Sequence, residues 1–152
     1  MNNSTFVYVT YIATTPKKLW EALTSGDFTK KYWFGRNLQS DWKEGSPVIF
    51  MDEEGKITDK GKVLKNEPFE HLSYTFQWVE DTTEYKCPPV VSFVLKPMDS
   101  TVKLVLKHEN LPSNAFVDED EGFYGINNGW PAILSNLKSL LETGLTLPAI
   151  HI

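Results

Sequence analysis

One cysteine, Cys87, and three histidines are all that this chain of 152 residues carries of the side chains best suited to soft metals. A single thiol cannot close an internal disulfide, so nothing covalent staples the fold, and a reducing compartment is the expected setting. His71, His108 and His151 show no metal-ligand spacing. Basic charge is short as well: 15 Lys and Arg against 20 Asp and Glu leave a net charge of −5. With no basic field to draw in phosphates, nucleic acid is not expected as a partner. No apolar run approaches the roughly 20 residues that a membrane-spanning helix needs. The opening MNNSTFVYVT has neither the basic flank nor the apolar core of a secretory signal, so the expected location is the cytoplasm.

Two motifs that would imply a bound ion or nucleotide also fail. Asp118 and Asp120 fit the first and third positions of a calcium loop, but Phe123 takes the glycine position and Gly129 that of the last acidic ligand. In GKITDKGKV the glycines are one residue too far apart for a phosphate loop, and Val63 replaces the hydroxyl residue. No paired catalytic carboxylates can be picked out, and Cys87 has no basic neighbour but Lys86. The expectation is therefore no metal, no cofactor and no assigned catalytic residue.

Aromatic residues, by contrast, are plentiful. Five Trp, six Tyr and nine Phe exceed what a core of this size requires, and some are expected to line a cavity or a contact surface. The length suits one domain over residues 1–152 with a single substantial core.

The hydrophobic patterning gives the order of elements. STFVYVTYIAT, rich in β-branched and aromatic residues, predicts a first strand. In TPKKLWEALTSG, Thr15 is placed to cap a helix with Pro16 in its first turn, and DFTKKYW predicts a second short helix opened by Asp27. SPVIFMDEEGKITDKGKVLK reads as two strands joined at DEEG. HLSYTFQW reads as one strand that turns Leu72, Tyr74, Phe76 and Trp78 to a covered face. PVVSFVLKP and STVKLVLKHEN form a hairpin across PMDS, and the alternation of the second puts His108 on the covered face.

After the loop LPSNAFVDEDEG, the residues Phe123, Ile126, Trp130, Ile133, Leu134, Leu137 and Leu141 recur every three or four positions. They form the apolar stripe of a long helix stopped by Gly144. Pro131 has no amide to bond Asn127, so the helix either bends there or begins there. A sheet with one greasy face needs a cover, and this helix alone is long enough. The fold class is thus α+β, a curved antiparallel sheet of six or seven strands wrapped around a C-terminal helix.

This order resembles the helix-grip fold of START domains and Bet v 1 allergens. More closely, TPKKLWEALTSGDFTKKYWFG, SDWKEGSPV, GKVLKNEPFEHLSYTFQW and NNGWPAILSNLKSLLETG resemble bacterial proteins similar to the C-terminal domain of the activator of the Hsp90 ATPase. The resemblance implies binding of lipids, steroids or other hydrophobic molecules, or action on a chaperone, and some members of the superfamily are enzymes. The eukaryotic activator carries a further N-terminal domain, for which 152 residues leave no room.

Three functions follow as expectations. The first is a non-enzymatic module holding a small hydrophobic or amphipathic molecule between sheet and helix. The second is an interaction module acting on an Hsp90-like chaperone or another protein. The third is an enzyme such as a cyclase or hydrolase that uses His108, Tyr74 or an acid in the cavity. For the first, the candidate cavity residues are Tyr74, Phe76, Trp78, His108, Phe123, Trp130 and Leu134, with His108 or Tyr74 as the polar contact and the loop before the helix as a lid. Plain core is the bland alternative for all of them, and it is the expectation for Ile133, Leu137 and Leu141.

Overall fold

The computed structural model describes residues 4–118 and 120–148. Strand β1, Ser4–Ile12, is followed by helices α1, Pro16–Thr24, and α2, Gly26–Tyr32. Then come β2, Asn37–Gln39, β3, Pro47–Met51, β4, Ile57–Glu67, β5, His71–Thr75, and β6, Gln77–Trp78. A hairpin of β7, Val90–Met98, and β8, Thr101–Leu111, leads through a short 3₁₀ turn to the final helix α3, Ile126–Thr143. The strands form one antiparallel sheet in the order β1-β8-β7-β5-β4-β3-β2, with β6 on β4. Among the described residues there are eight strands, seven along this path and the two-residue β6 beside it, where six or seven were expected.

The local signals act as anticipated at most ends. Thr15 Oγ1 accepts the Lys18 amide at 3.2 Å with Pro16 in the first turn, and Leu19, Ala22 and Leu23 turn inward from α1. Ser25, two residues earlier than Asp27, is the cap from which α2 starts. Tyr32 ends α2 wholly buried and donates its hydroxyl to the Ala22 carbonyl at 2.8 Å, which ties the two helices together.

In β1, Phe6, Tyr8 and Ile12 face the helix side, while Val7, Val9 and Tyr11 stand on the outer face, about half exposed. Helix α3 covers the inner face, burying Trp130, Ile133, Leu134 and Leu137 among Leu104, Leu106, Phe93 and Tyr32. It stops at Gly144, whose φ of 82° is left-handed and whose amide bonds the Leu140 carbonyl at 2.9 Å. Pro131 lies inside α3, five residues after its first residue, so the helix does not begin at the proline. Two polar side chains of α3 also reach the end of β1. Lys138 Nζ donates to the Tyr11 carbonyl at 2.6 Å, and Glu142 accepts the Ala13 amide at 2.8 Å. This is the helix-grip arrangement.

One strand departs from its expected alternation. HLSYTFQW is not continuous: β5 pairs β4 from Val63 to Glu67, whereas β6 pairs it at Asp59 and Lys60. Between them the Phe76 amide turns to the Pro89 carbonyl at 3.0 Å, and the Lys62 amide to Thr75 Oγ1 at 2.9 Å. The jog is possible because Gly61 lies directly on the Thr75 carbonyl, where a methyl group would overlap that oxygen. Beyond the jog Trp78 is 54% exposed, which corrects its expected place on the covered face. Because the obstacle to a side chain at residue 61 is backbone, Gly61→Ala is expected to destabilise the protein by roughly 1–3 kcal/mol, as overpacking does. Urea unfolding measures it, and an unchanged midpoint would show that the jog is not held by this contact.

Candidate functional site

His108 sits near the end of β8 and is 1% exposed. Its Nδ1 accepts the indole Nε1–H of Trp130 from α3 at 3.0 Å. An indole nitrogen only donates, so Nδ1 carries no proton, and the neutral imidazole holds its proton on Nε2. That Nε2–H is buried and has no partner among the described residues. The ring packs edge-on to Phe76, with centroids 5.7 Å apart, and to Trp130, at 5.9 Å.

Burial in these apolar surroundings lowers the His108 pKa from 6.5 to about 4. Between those values the unfolded chain binds a proton that the folded chain refuses. Stability contributed by neutral His108 is therefore complete above pH 6.5 and is lost as pH falls toward 4. The loss is about 3 kcal/mol across the window. Urea unfolding at pH 7, 5.5 and 4.5 should show it in the wild type and much less of it in His108→Gln; equal slopes would mean that another group titrates.

Two cavities meet at this ring. The smaller, about 90 Å³, lies under α3 and is lined by Trp33, Phe76, His108, Ile126, Trp130 and Ile133. The larger is an open cleft of about 520 Å³ at the end of the sheet. Its apolar walls are Phe76, Trp78, Leu111, Val117, Tyr124 and Ile126, with Asp81 and Tyr85 at its polar side. His108 lines both, whereas Trp130 lines only the smaller. Nε2, the ring nitrogen that Trp130 does not bond, is itself buried, although the ring as a whole borders both cavities. A more polar depression of about 960 Å³ adjoins the cleft through Trp78, Asp81, Tyr85 and Asn114.

The cleft is walled by segments with no periodic pattern. Tyr85 donates its hydroxyl to Asp81, which raises the Tyr85 pKa. Hydrogen bonds from Thr83 and Tyr85 hold the Asp81 carboxyl below its ordinary value. The loop before α3 is clamped: Asn127 bonds both the amide and the carbonyl of Val117 at 3.0 Å. Asn128 Nδ2 donates to the Val117 carbonyl at 3.1 Å and to the Tyr124 carbonyl at 2.7 Å. The segment expected to act as a lid is thus fastened at Val117 to the first turn of α3.

Of the seven candidate residues, His108, Phe76 and Trp78 line the cleft, and Trp130 stands behind His108. Tyr74 and Leu134 do not reach it. Tyr74 is wholly buried among Trp42, Phe50 and Phe93, and burial raises its pKa well above the ordinary value. Among the described residues its hydroxyl has no partner, but it lines neither cavity, whereas the buried His108 lines both. Leu134 is core. Phe123 precedes α3 and packs on Phe34 at 5.6 Å, away from both cavities. Among the described residues, no three of His, Cys, Asp or Glu are placed to hold a metal ion, and no helix is long and apolar enough to cross a membrane.

Comparison with known proteins places this architecture. The chain is similar to a solved protein from Mesorhizobium loti, with 25% identity over 91% of this chain and 96% of that one, and a TM-score of 0.72. It resembles in fold an Aha1 dimer from Colwellia psychrerythraea, at 23% identity, 93% and 98% coverage and a TM-score of 0.70. It also resembles an Hsp90 activator from Plasmodium falciparum, at 20% identity, 90% and 95% coverage and a TM-score of 0.69. None of the curated proteins matches the sequence. The family model described as activator of Hsp90 ATPase homolog 1-like protein matches residues 13–142. With the helix gripped by its sheet and most of its length matched, the chain belongs to the family of activator of Hsp90 ATPase homolog 1-like proteins.

Proposed function

We propose that the protein is a binding module that holds a small, mainly apolar molecule in the cleft between the end of the sheet and the start of α3. The observation that carries this reading is the cleft itself: about 520 Å³, walled by Phe76, Trp78, Leu111, Val117, Tyr124 and Ile126, with His108 at its floor. Its volume falls in the range of ligand sites, roughly 300–1,000 Å³, and an apolar wall with few polar groups is their usual make-up. The protonation of His108 supports a non-enzymatic role, since Nδ1 is occupied by Trp130 and Nε2 already bears the proton.

The test is to fill the space. Ala115 lines the cleft on the loop before α3, so Ala115→Trp is expected to weaken uptake of a neutral fluorescent naphthalene probe at least about tenfold, while the urea midpoint stays near that of the wild type. Undiminished uptake by Ala115→Trp would place the bound molecule elsewhere.

A second reading is action on an Hsp90-like chaperone, supported by the family and by the solved Hsp90 activator of similar fold. The apolar row Val7, Val9 and Tyr11 on the outer face of β1 would be its contact. Stimulation of a chaperone ATPase by the wild type and its loss in Val9→Asp would support this reading; no stimulation at all would remove it.

A further inference from the structure

We infer that the molecule held in the cleft is neutral and carries a carbonyl oxygen, which accepts the His108 Nε2–H, and that ionised carboxylates are rejected. This rests on the binding reading above and names the class of ligand that it implies.

The donor is singled out by elimination along the ring. Trp130 fixes His108 Nδ1 as an acceptor, so the remaining nitrogen must donate, and although it is buried it has no partner among the described residues. Leaving a buried donor unsatisfied costs about 1–3 kcal/mol. A ligand that brings an acceptor to Nε2, with the small shift of neighbouring side chains that reaching a buried nitrogen requires, removes that penalty, whereas one that brings only hydrocarbon leaves it in place.

Charge decides the kind of acceptor. His108 is neutral and cannot compensate an anion unless it breaks its bond to Trp130. Among the described residues no Lys or Arg lines the cleft, while Asp81 does, and in the adjoining depression Asp81, Glu80 and Glu84 outnumber the one cation, Lys86. Gly125 and Ile126 bring the positive end of α3 to the cleft. Asp118, Asp120 and Glu121 in the approach to that helix end oppose its attraction for an anion. Burying an ionised carboxylate without a countercharge is far more costly than burying a neutral carbonyl.

Three naphthalenes of nearly one shape test the inference by competition against a neutral fluorescent probe: 2-acetylnaphthalene, 2-isopropylnaphthalene and 2-naphthoate. The hydrocarbon is the most hydrophobic, so burial alone would rank it first. The expected order is the ketone, tighter than the hydrocarbon by about fivefold, then the carboxylate. In His108→Phe the ketone should lose its lead. Because this variant also strands the Trp130 indole, long-range ¹H–¹⁵N spectra of the wild type provide a second measurement. The His108 Nε2 resonance should shift with the ketone and much less with the hydrocarbon. Equal binding of ketone and hydrocarbon, tightest binding of naphthoate, or an Nε2 signal indifferent to the ketone would overturn the inference and leave the binding module standing. Failure of all three to bind would overturn both.

Discussion

A chain ending before Gly129 is expected to be insoluble or molten. It loses Trp130, Ile133, Leu134 and Leu137, all buried against the inner face of the sheet. Each large apolar side chain contributes roughly 1.5–3 kcal/mol when buried, so four of them match or exceed much of the typical stability of a domain, about 5–15 kcal/mol. The bonds of Asn136 to the Tyr32 carbonyl and of Lys138 and Glu142 to the end of β1 go with them. Near-UV circular dichroism and urea unfolding of the fragment provide the check. A cooperative transition with a native aromatic spectrum would mean that the sheet has another cover.

Trp130→Ala is expected to cost about 3–5 kcal/mol, the usual range for emptying an aromatic core site. Although it lines the smaller cavity, Trp130 is 3% exposed, with Trp33 at 5.1 Å and Phe93 at 6.0 Å between ring centroids. Its indole nitrogen is spent on His108. Trp130→Phe separates the two contributions: it keeps most of the packing but leaves His108 Nδ1 without its donor. A smaller loss of stability, together with a changed ¹⁵N pattern of the His108 ring, is the expected result. If Trp130→Ala shifted stability by less than about 1 kcal/mol, the smaller cavity would have to be larger and better hydrated than the core packing around it permits.

The architecture was legible because each element carries a regular signal. Val102, Leu104, Leu106 and His108 alternate and are all buried, and the α3 stripe with its terminal Gly144 behaves as its spacing implies. The candidate site was only half legible, for a physical reason. Period-two alternation cannot register a jog, and the close approach of Gly61 to Thr75 puts one in the strand that holds Phe76 and Trp78. The outer wall, from Asp81 and Tyr85 to Val117 and Tyr124, comes from loops that follow no period. Its rigidity comes from Asn127 and Asn128, whose side chains bond a backbone some ten residues away along the chain. Tyr74 was placed on the correct face, but alternation says nothing about distance from a cavity.

The contacts of Lys138 and Glu142 with β1 also bear on how the protein behaves in a crowded solution. β1 closes one side of the sheet and, among the described residues, pairs with no strand but β8. Such a border is a template on which foreign strands can polymerise, and natural proteins commonly blunt it with charge. In this protein the blunting is supplied by the helix: an ammonium and a carboxylate, themselves paired at 2.7 Å, occupy the Tyr11 carbonyl and the Ala13 amide. A strand adding to this border would have to stop short of Tyr11 or displace both groups. Neutralising the pair, as in Lys138→Met with Glu142→Gln, should therefore increase fibril formation, as read by thioflavin fluorescence, before it measurably lowers the unfolding midpoint.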